Sequence, residues 1–213
     1  MSEIETESAR EPVIPEQLLL ADWRRRTAEM YADVRGSPDR SRGHALWRAR
    51  RDQLFQTHPQ SPLGPLDPMR ESGVPVWPYD PRWRFVLPLS PAAEPMTHEL
   101  QTAPDEVSRL RQIGWLEFPD PPGGRLAVWW LEQYAGGLFV PFKDATAGSS
   151  TYGAGRYLLD TAKGADLGLE SERLVIDFNF SYHPSCRYDP SWQCPLAPPQ
   201  NVLDFPIEAG EKL

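Results

Sequence analysis

Two short segments concentrate the side chains able to do chemistry. The first runs Phe142-Lys143-Asp144-Ala-Thr146-Ala-Gly148-Ser-Ser-Thr151-Tyr152-Gly153-Ala-Gly155-Arg156-Tyr157, which gathers a lysine, a carboxylate, hydroxyls, a guanidinium and two tyrosines around three glycines. Glycine lets the backbone approach a bound molecule or adopt positive φ, and a guanidinium can grip a carboxylate or phosphate through two parallel hydrogen bonds. The same residues also read as a long ordered loop whose polar side chains satisfy its own backbone. The second segment, Asp177-Phe-Asn179-Phe-Ser-Tyr182-His183-Pro-Ser-Cys186, continues to Cys194. The candidate ligand-binding set is therefore Lys143, Asp144, Thr146, Thr151, Tyr152, Arg156, Asp177, Asn179 and Tyr182. Asp144 or Asp177 is the candidate base if the site is catalytic.

His183, Cys186 and Cys194 have soft-ligand chemistry, but a tetrahedral zinc site wants four ligands at more regular spacing. No metal is expected. The turn signal Asp189-Pro190 should instead fold the two thiols toward each other, reduced in a reducing compartment. The usual fingerprints GxGxxG, GxxxxGK[ST], HExxH and CxxC do not occur. The stretch Gly148 to Gly153 is one residue longer than a nucleophile elbow. No cofactor is implied.

These segments need a scaffold, and the hydrophobic pattern supplies one. Leu19, Trp23, Met30 and Val34 recur at helical spacing between Pro15 and Val34, and Trp47 and Leu54 do so between Ser41 and Thr57. We read a helical hairpin over residues 15–58, preceded by an acidic, frayed tail at 1–14. Residues 24–51 hold nine arginines and three acids. That charge run invites a nucleic-acid reading, but aromatics at core spacing favour a solvated helical face paired with acidic residues.

Ten prolines in residues 59–95 make a rigid connector with one strand candidate, Arg82 to Leu87. Beyond it come strand patterns at Glu106–Phe118, Arg125–Tyr134 and Leu138–Phe142. Leu126 to Leu131 is apolar on both faces, as a central strand should be. Leu174, Ile176, Phe178 and Phe180 alternate against Val175, Asp177 and Asn179. Hairpins outnumber strand–helix–strand units, so the expected fold is α+β. The helical hairpin precedes an antiparallel β-barrel or β-sandwich, with residues 59–213 as one globular unit.

Composition narrows the function classes. The chain has 213 residues, 40% hydrophobic and 24% charged, with a formal net charge of −8. Such a balance argues for a globular domain and against a surface that binds nucleic-acid backbone. The N-terminal residues lack the basic and apolar regions of a signal peptide, and no apolar run approaches membrane-spanning length. We expect a cytoplasmic protein with no membrane partner.

Together the segments resemble a bacterial family known only as domain of unknown function 1684. The stretches that carry the resemblance include Arg48 to Leu63, Pro78-Tyr-Asp-Pro-Arg-Trp-Arg-Phe85, Leu138 to Thr146, Thr151-Tyr-Gly-Ala-Gly-Arg-Tyr157, Asp177-Phe-Asn179, Cys194 to Asn201 and Glu208-Ala-Gly-Glu211. The family pattern has Asn-Pro where this chain has His183-Pro184, which further weakens a shared His/Cys metal site. The resemblance implies the segmentation and the choice of polar residues, not a reaction. The leading expectation is a small polar or anionic ligand in a pocket at the end of a β-barrel. The alternative is a non-catalytic scaffold that uses the arginine-rich hairpin to dock a protein or a second copy.

Overall fold

The computed structural model describes residues 14–103, 106–132 and 134–213. The tail expected at residues 1–14 therefore lies, but for Ile14, outside the described residues. Helix α1 spans Glu16–Gly36 and helix α2 spans Arg40–Thr57. Glu16 in the first turn and Arg35 in the last complement the dipole of α1, and the Asp39 side chain caps α2 by accepting from the Arg42 backbone N–H at 3.1 Å. The two helices pack through Met30, Tyr31, Val34 and Trp47, where the Trp47 indole donates to the Tyr31 hydroxyl. Among the described residues no helix is long and apolar enough to cross a membrane.

The proline-rich stretch carries a short helix α3, Met69–Ser72, and a 3-10 turn at Pro81–Trp83. The strand expected from Arg82 begins at Arg84, because Asp80 accepts from the Arg82 N–H and turns the chain first. Among the described residues eight strands follow: β1 Arg84–Leu87, β2 Thr97–Ala103, β3 Glu106–Glu117, β4 Arg125–Leu131, β5 Leu138–Phe142, β6 Arg156–Asp160, β7 Leu169–Glu170 and β8 Arg173–Asp177. They form two antiparallel sheets, ordered β1-β8-β7 and β2-β3-β4-β5-β6.

The fold is α+β, but the sheets do not close into a barrel. Their facing side chains, Leu87, Leu174 and Ile176 from one and Leu116, Leu126, Val128, Val140 and Phe142 from the other, share one core. The central place of β4 follows from its sequence. Leu126 and Val128 enter that shared core, while Ala127 and Trp129 pack on the opposite face with Leu110, Phe139 and Tyr157. Strand β8 is also covered on both sides, because Val175 packs with Met30, Tyr31, Val34 and Trp47.

One sequence expectation needs correction here. The alternating run from Leu174 to Phe180 is not one strand. It ends at Asp177, whose carboxylate accepts from the Asn179 N–H at 3.0 Å and starts a 3-10 turn at Phe178–Phe180.

After β8 the chain has no further strand, yet its last stretch is firmly tied down. Asn201, Leu203 and Phe205 bond the backbone of Lys143 and Ala145. Gly210 bonds Trp77, and Glu211 bonds Ser181 through its N–H. Gly210 sits at φ 77°, and a Cβ there would lie 2.2 Å from Ser181 Oγ, so no larger residue fits this crossing.

Candidate functional site

Seven of the nine sequence-predicted residues fall into three places, and Lys143 and Tyr152 lie outside them. Asp144, Thr146, Thr151 and Arg156 form one buried knot. Gly155, at φ 97°, lets β6 start close beneath β5, since a Cβ there would stand 2.3 Å from the Phe142 carbonyl. Arg156 therefore begins β6 inside the core, where Nη1 donates to the carbonyls of Ala209 and Glu211, and Nη2 donates to the Ile207 carbonyl at 2.9 Å and to Asp144 at 3.4 Å. The Asp144 carboxylate also accepts from the Thr146 hydroxyl at 2.9 Å and from the Ile207 N–H at 2.6 Å. Burial pulls the Arg156 pKa down to about 10, with Asp144 opposing that pull. The group stays charged at neutral pH, but both of its terminal nitrogens are occupied by the protein itself.

Asp177 and Asn179 form the second place. Asn179 donates to Asp177 at 2.7 Å and makes a matched pair of 2.8 Å bonds with the backbone of Asp80. The Asp-Phe-Asn run thereby staples the turn before β1 to the end of β8. Burial pushes the Asp177 carboxyl up to about 6, against the lowering effect of Asn179, Arg84 and Tyr79. Lys143 meets the C-terminal stretch through its backbone, and Tyr152 donates its N–H to His183 Nε2 at 3.2 Å.

Tyr182 belongs to the third place, a cavity of about 60 Å³ between the helices and the sheets. Its wall includes Trp23, Tyr31, Arg51, Phe55, Tyr157, Lys163, Tyr182 and His183. An outer pocket of about 130 Å³, bounded by Leu20, Trp23, Arg24, Gln60, Lys163, Ser185 and Trp192, shares Trp23, Lys163 and Ser185 with it. The pocket is thus not at the end of a barrel, and of the nine expected site residues Tyr182 alone is in the cavity wall.

Arg51 is the residue that sequence reading missed. It projects from α2 on the same face as Trp47 and Leu54, one turn from each, so it occupies a core position in an amphipathic pattern. Its Nε donates to Glu211 Oε1, and its guanidinium lies 4.4 Å from the Phe55 ring centre and 4.8 Å from that of Tyr182. Glu211 is fully buried, and Oε2 accepts from the His183 N–H at 2.7 Å and the Tyr188 hydroxyl at 3.0 Å. Burial would raise its pKa, but Arg51 and His183 outweigh burial and hold it low, so it is ionised. Burial likewise works against the Arg51 charge, and Glu211 more than restores it.

Burial drives the His183 pKa down to about 4, against the opposing pull of Glu211. Its Nε2 accepts from Tyr152, so Nδ1 carries the proton and faces Glu211 at 3.6 Å. With both nitrogens engaged, His183 positions the wall and is no free base. Cys186 donates its N–H to Cys194 Sγ at 3.3 Å, so the two residues are neighbours as expected, and both thiols are free. Among the described residues no three His, Cys, Asp or Glu side chains cluster as metal ligands.

A family model described as "Protein of unknown function (DUF1684)" matches residues 71–212. That range contains Tyr157, Tyr182, His183 and Glu211, while Arg51, Tyr31 and Trp23 precede it. The solution structure of an uncharacterized protein of Haloarcula marismortui is similar at 31% identity and a TM-score of 0.57, covering 78% of this chain and 90% of that one. Among curated proteins none matches.

Proposed function

Since the chain belongs to the family of unknown function DUF1684, which brings no reaction with it, we propose that it binds a small organic anion in the cleft between α1–α2 and the sheets. The observation that carries this reading is a surplus of hydrogen-bond donors. Among the described residues no hydrogen bond within the chain engages the Nη groups of Arg51 or the Tyr182 hydroxyl, and both residues line the cavity. The Tyr31 hydroxyl accepts from Trp47 at 3.3 Å and donates to nothing. The sealed, partnerless polar side-chain atoms among the described residues are His44 Nε2, Gln112 Oε1, Arg156 Nε and Arg187 Nε, so the Arg51 and Tyr182 donors face the open cleft, where an incoming acceptor takes the place of water. A carboxylate or phosphate brings acceptors and charge together. Arg24 at the entrance adds positive potential, while Lys163 beside it is paired with Asp160 at 3.5 Å.

The arginine-rich hairpin has less support as a docking face. Most of its arginines are engaged within the chain: Arg25 and Arg26 with Asp22, Arg50 with Asp33, Arg35 with Asp166, Arg40 with Glu170 and Arg51 with Glu211. The binding reading needs no metal, nucleic acid, membrane or second copy.

Titration calorimetry with acetate and with inorganic phosphate tests the proposal. At least one should bind saturably, and Tyr182→Phe, which removes a single hydroxyl, should weaken it by about 3- to 10-fold while the melting temperature changes little. Absence of binding by acetate, by phosphate and by a larger carboxylate such as phenylacetate would sink it.

A further inference from the structure

Resting on that reading, we infer that the ligand is an arylalkanoic acid: a carboxylate head on a short stem that ends in one flat apolar ring and carries no amino group. The head is selected by Arg51. Glu211 takes its Nε, and the rings of Phe55 and Tyr182 lie against the guanidinium, so the Nη edge is what remains open. A planar carboxylate meets that edge through two parallel bonds. The size of the inner chamber agrees. About 60 Å³ is a few water-sized volumes, enough for a carboxylate and its α-carbon but not for a ring.

The body of the ligand must therefore leave the chamber, and the shared residues Trp23, Lys163 and Ser185 mark the way out. It arrives in a pocket of about 130 Å³ between Leu20, Trp23 and Trp192. Trp192 is 41% exposed although it is the most expensive side chain to leave in water. A flat apolar ring between two indoles would withdraw all three surfaces from solvent. The same pocket holds Arg24 and Lys163, and Arg24 has no ion-pair partner among the described residues. An α-ammonium would meet like charge there, which disfavours a free amino acid of the same shape.

Titration calorimetry on the whole chain separates the possibilities, with acetate, inorganic phosphate, phenylacetate, indole-3-acetate and tryptophan as probes. Phenylacetate or indole-3-acetate should bind at least about tenfold tighter than acetate, and tryptophan no tighter than acetate. Trp192→Ala, at an exposed position whose loss the fold should tolerate, should bring arylacetate affinity down to that of acetate and leave acetate unchanged. Acetate binding with no gain from the ring, or tryptophan matching indole-3-acetate, would overturn the arylalkanoate while leaving the anion site standing. If neither acetate nor phosphate nor any arylacetate binds, both readings fall together.

Discussion

Arg156 and Arg51 each meet a buried carboxylate, Asp144 in one case and Glu211 in the other, and both pairs depend on the same C-terminal stretch. Around Arg156 the terminal nitrogens are taken by three carbonyls and the carboxylate, the Asp144 oxygens by Thr146 and Ile207, and Nε alone lacks a partner, sealed in the core away from any ligand. Around Arg51 only Nε has a partner within the chain, Arg51 lines a cavity, and the nearby Tyr157 and Tyr188 hydroxyls are already spent on Pro195 and Glu211. Both regions are rich in functional groups. What distinguishes the structural knot from the candidate site is where the uncommitted donors face: into sealed core at Arg156, into a cavity at Arg51.

Three measurements can break or sharpen that contrast. The largest effect belongs to the knot. Arg156→Met strands a buried carboxylate and several carbonyls at once, so denaturant unfolding should show a loss of about 3–5 kcal/mol. A loss below about 1 kcal/mol would mean the knot is not structural, and Arg156 would return as a ligand residue.

The second effect is a pair of opposed pH slopes, one from His183 beside the Arg51–Glu211 pair and one from Asp177 in the separate Asp177–Asn179 staple. His183 is held down to about 4 in the folded protein against an ordinary 6.5, so its contribution is complete above pH 6.5 and is lost as pH falls toward 4. Asp177 is held up to about 6 against an ordinary 3.8, so its contribution is complete below pH 3.8 and is lost as pH rises through 6. Each is worth about 3 kcal/mol across its window. Unfolding curves between pH 4 and 7 should tilt in opposite directions for His183→Gln and Asp177→Asn. Slopes changed in the same direction would refute the assignment.

The smallest effect concerns Cys186, next to the cavity-lining Ser185. Burial and the neighbouring Cys194 push its thiol up to about 11. Alkylation at Cys186, followed by peptide mass spectrometry at pH 7.5, should run at least about tenfold slower than for free cysteine. Rapid alkylation would turn this wall into a reactive element.

Much of the scaffold was legible in the sequence, for local reasons. The helices follow from Trp23, Met30, Trp47 and Leu54 at helical spacing, and β4 from a run apolar on both faces. Strands β2 and β6 escaped, because β2 is a polar edge and β6 is hidden behind a glycine-rich loop that dominates its surroundings. The alternation through Phe178 and Phe180 misled, since a single side-chain cap at Asp177 overrides a period-two pattern.

The site was harder to read. Arg51 stands among nine arginines in residues 24–51, and nothing nearby marks it out except its place on the Trp47–Leu54 face. Its partner, Glu211, stands in the Glu208-Ala-Gly-Glu211 run that helps carry the family resemblance, but the resemblance attaches no role to it, and only the assembled fold brings the two together. Arginine at a core position is the one local signal that could have raised the question.

The bond between Arg51 and Glu211 joins positions 160 residues apart, and that separation is also an interval of time. At synthesis rates of about 5–20 residues per second, Arg51 emerges roughly 8–30 seconds before its carboxylate exists. Through that interval the helices can form and the sheets can pair, but the cavity has no fixed floor. The floor of the proposed site is therefore laid only once residue 211 has been made, after every strand from β1 to β8. A product that stops short of Glu211 can carry all of those strands and still lack the carboxylate that fixes Arg51.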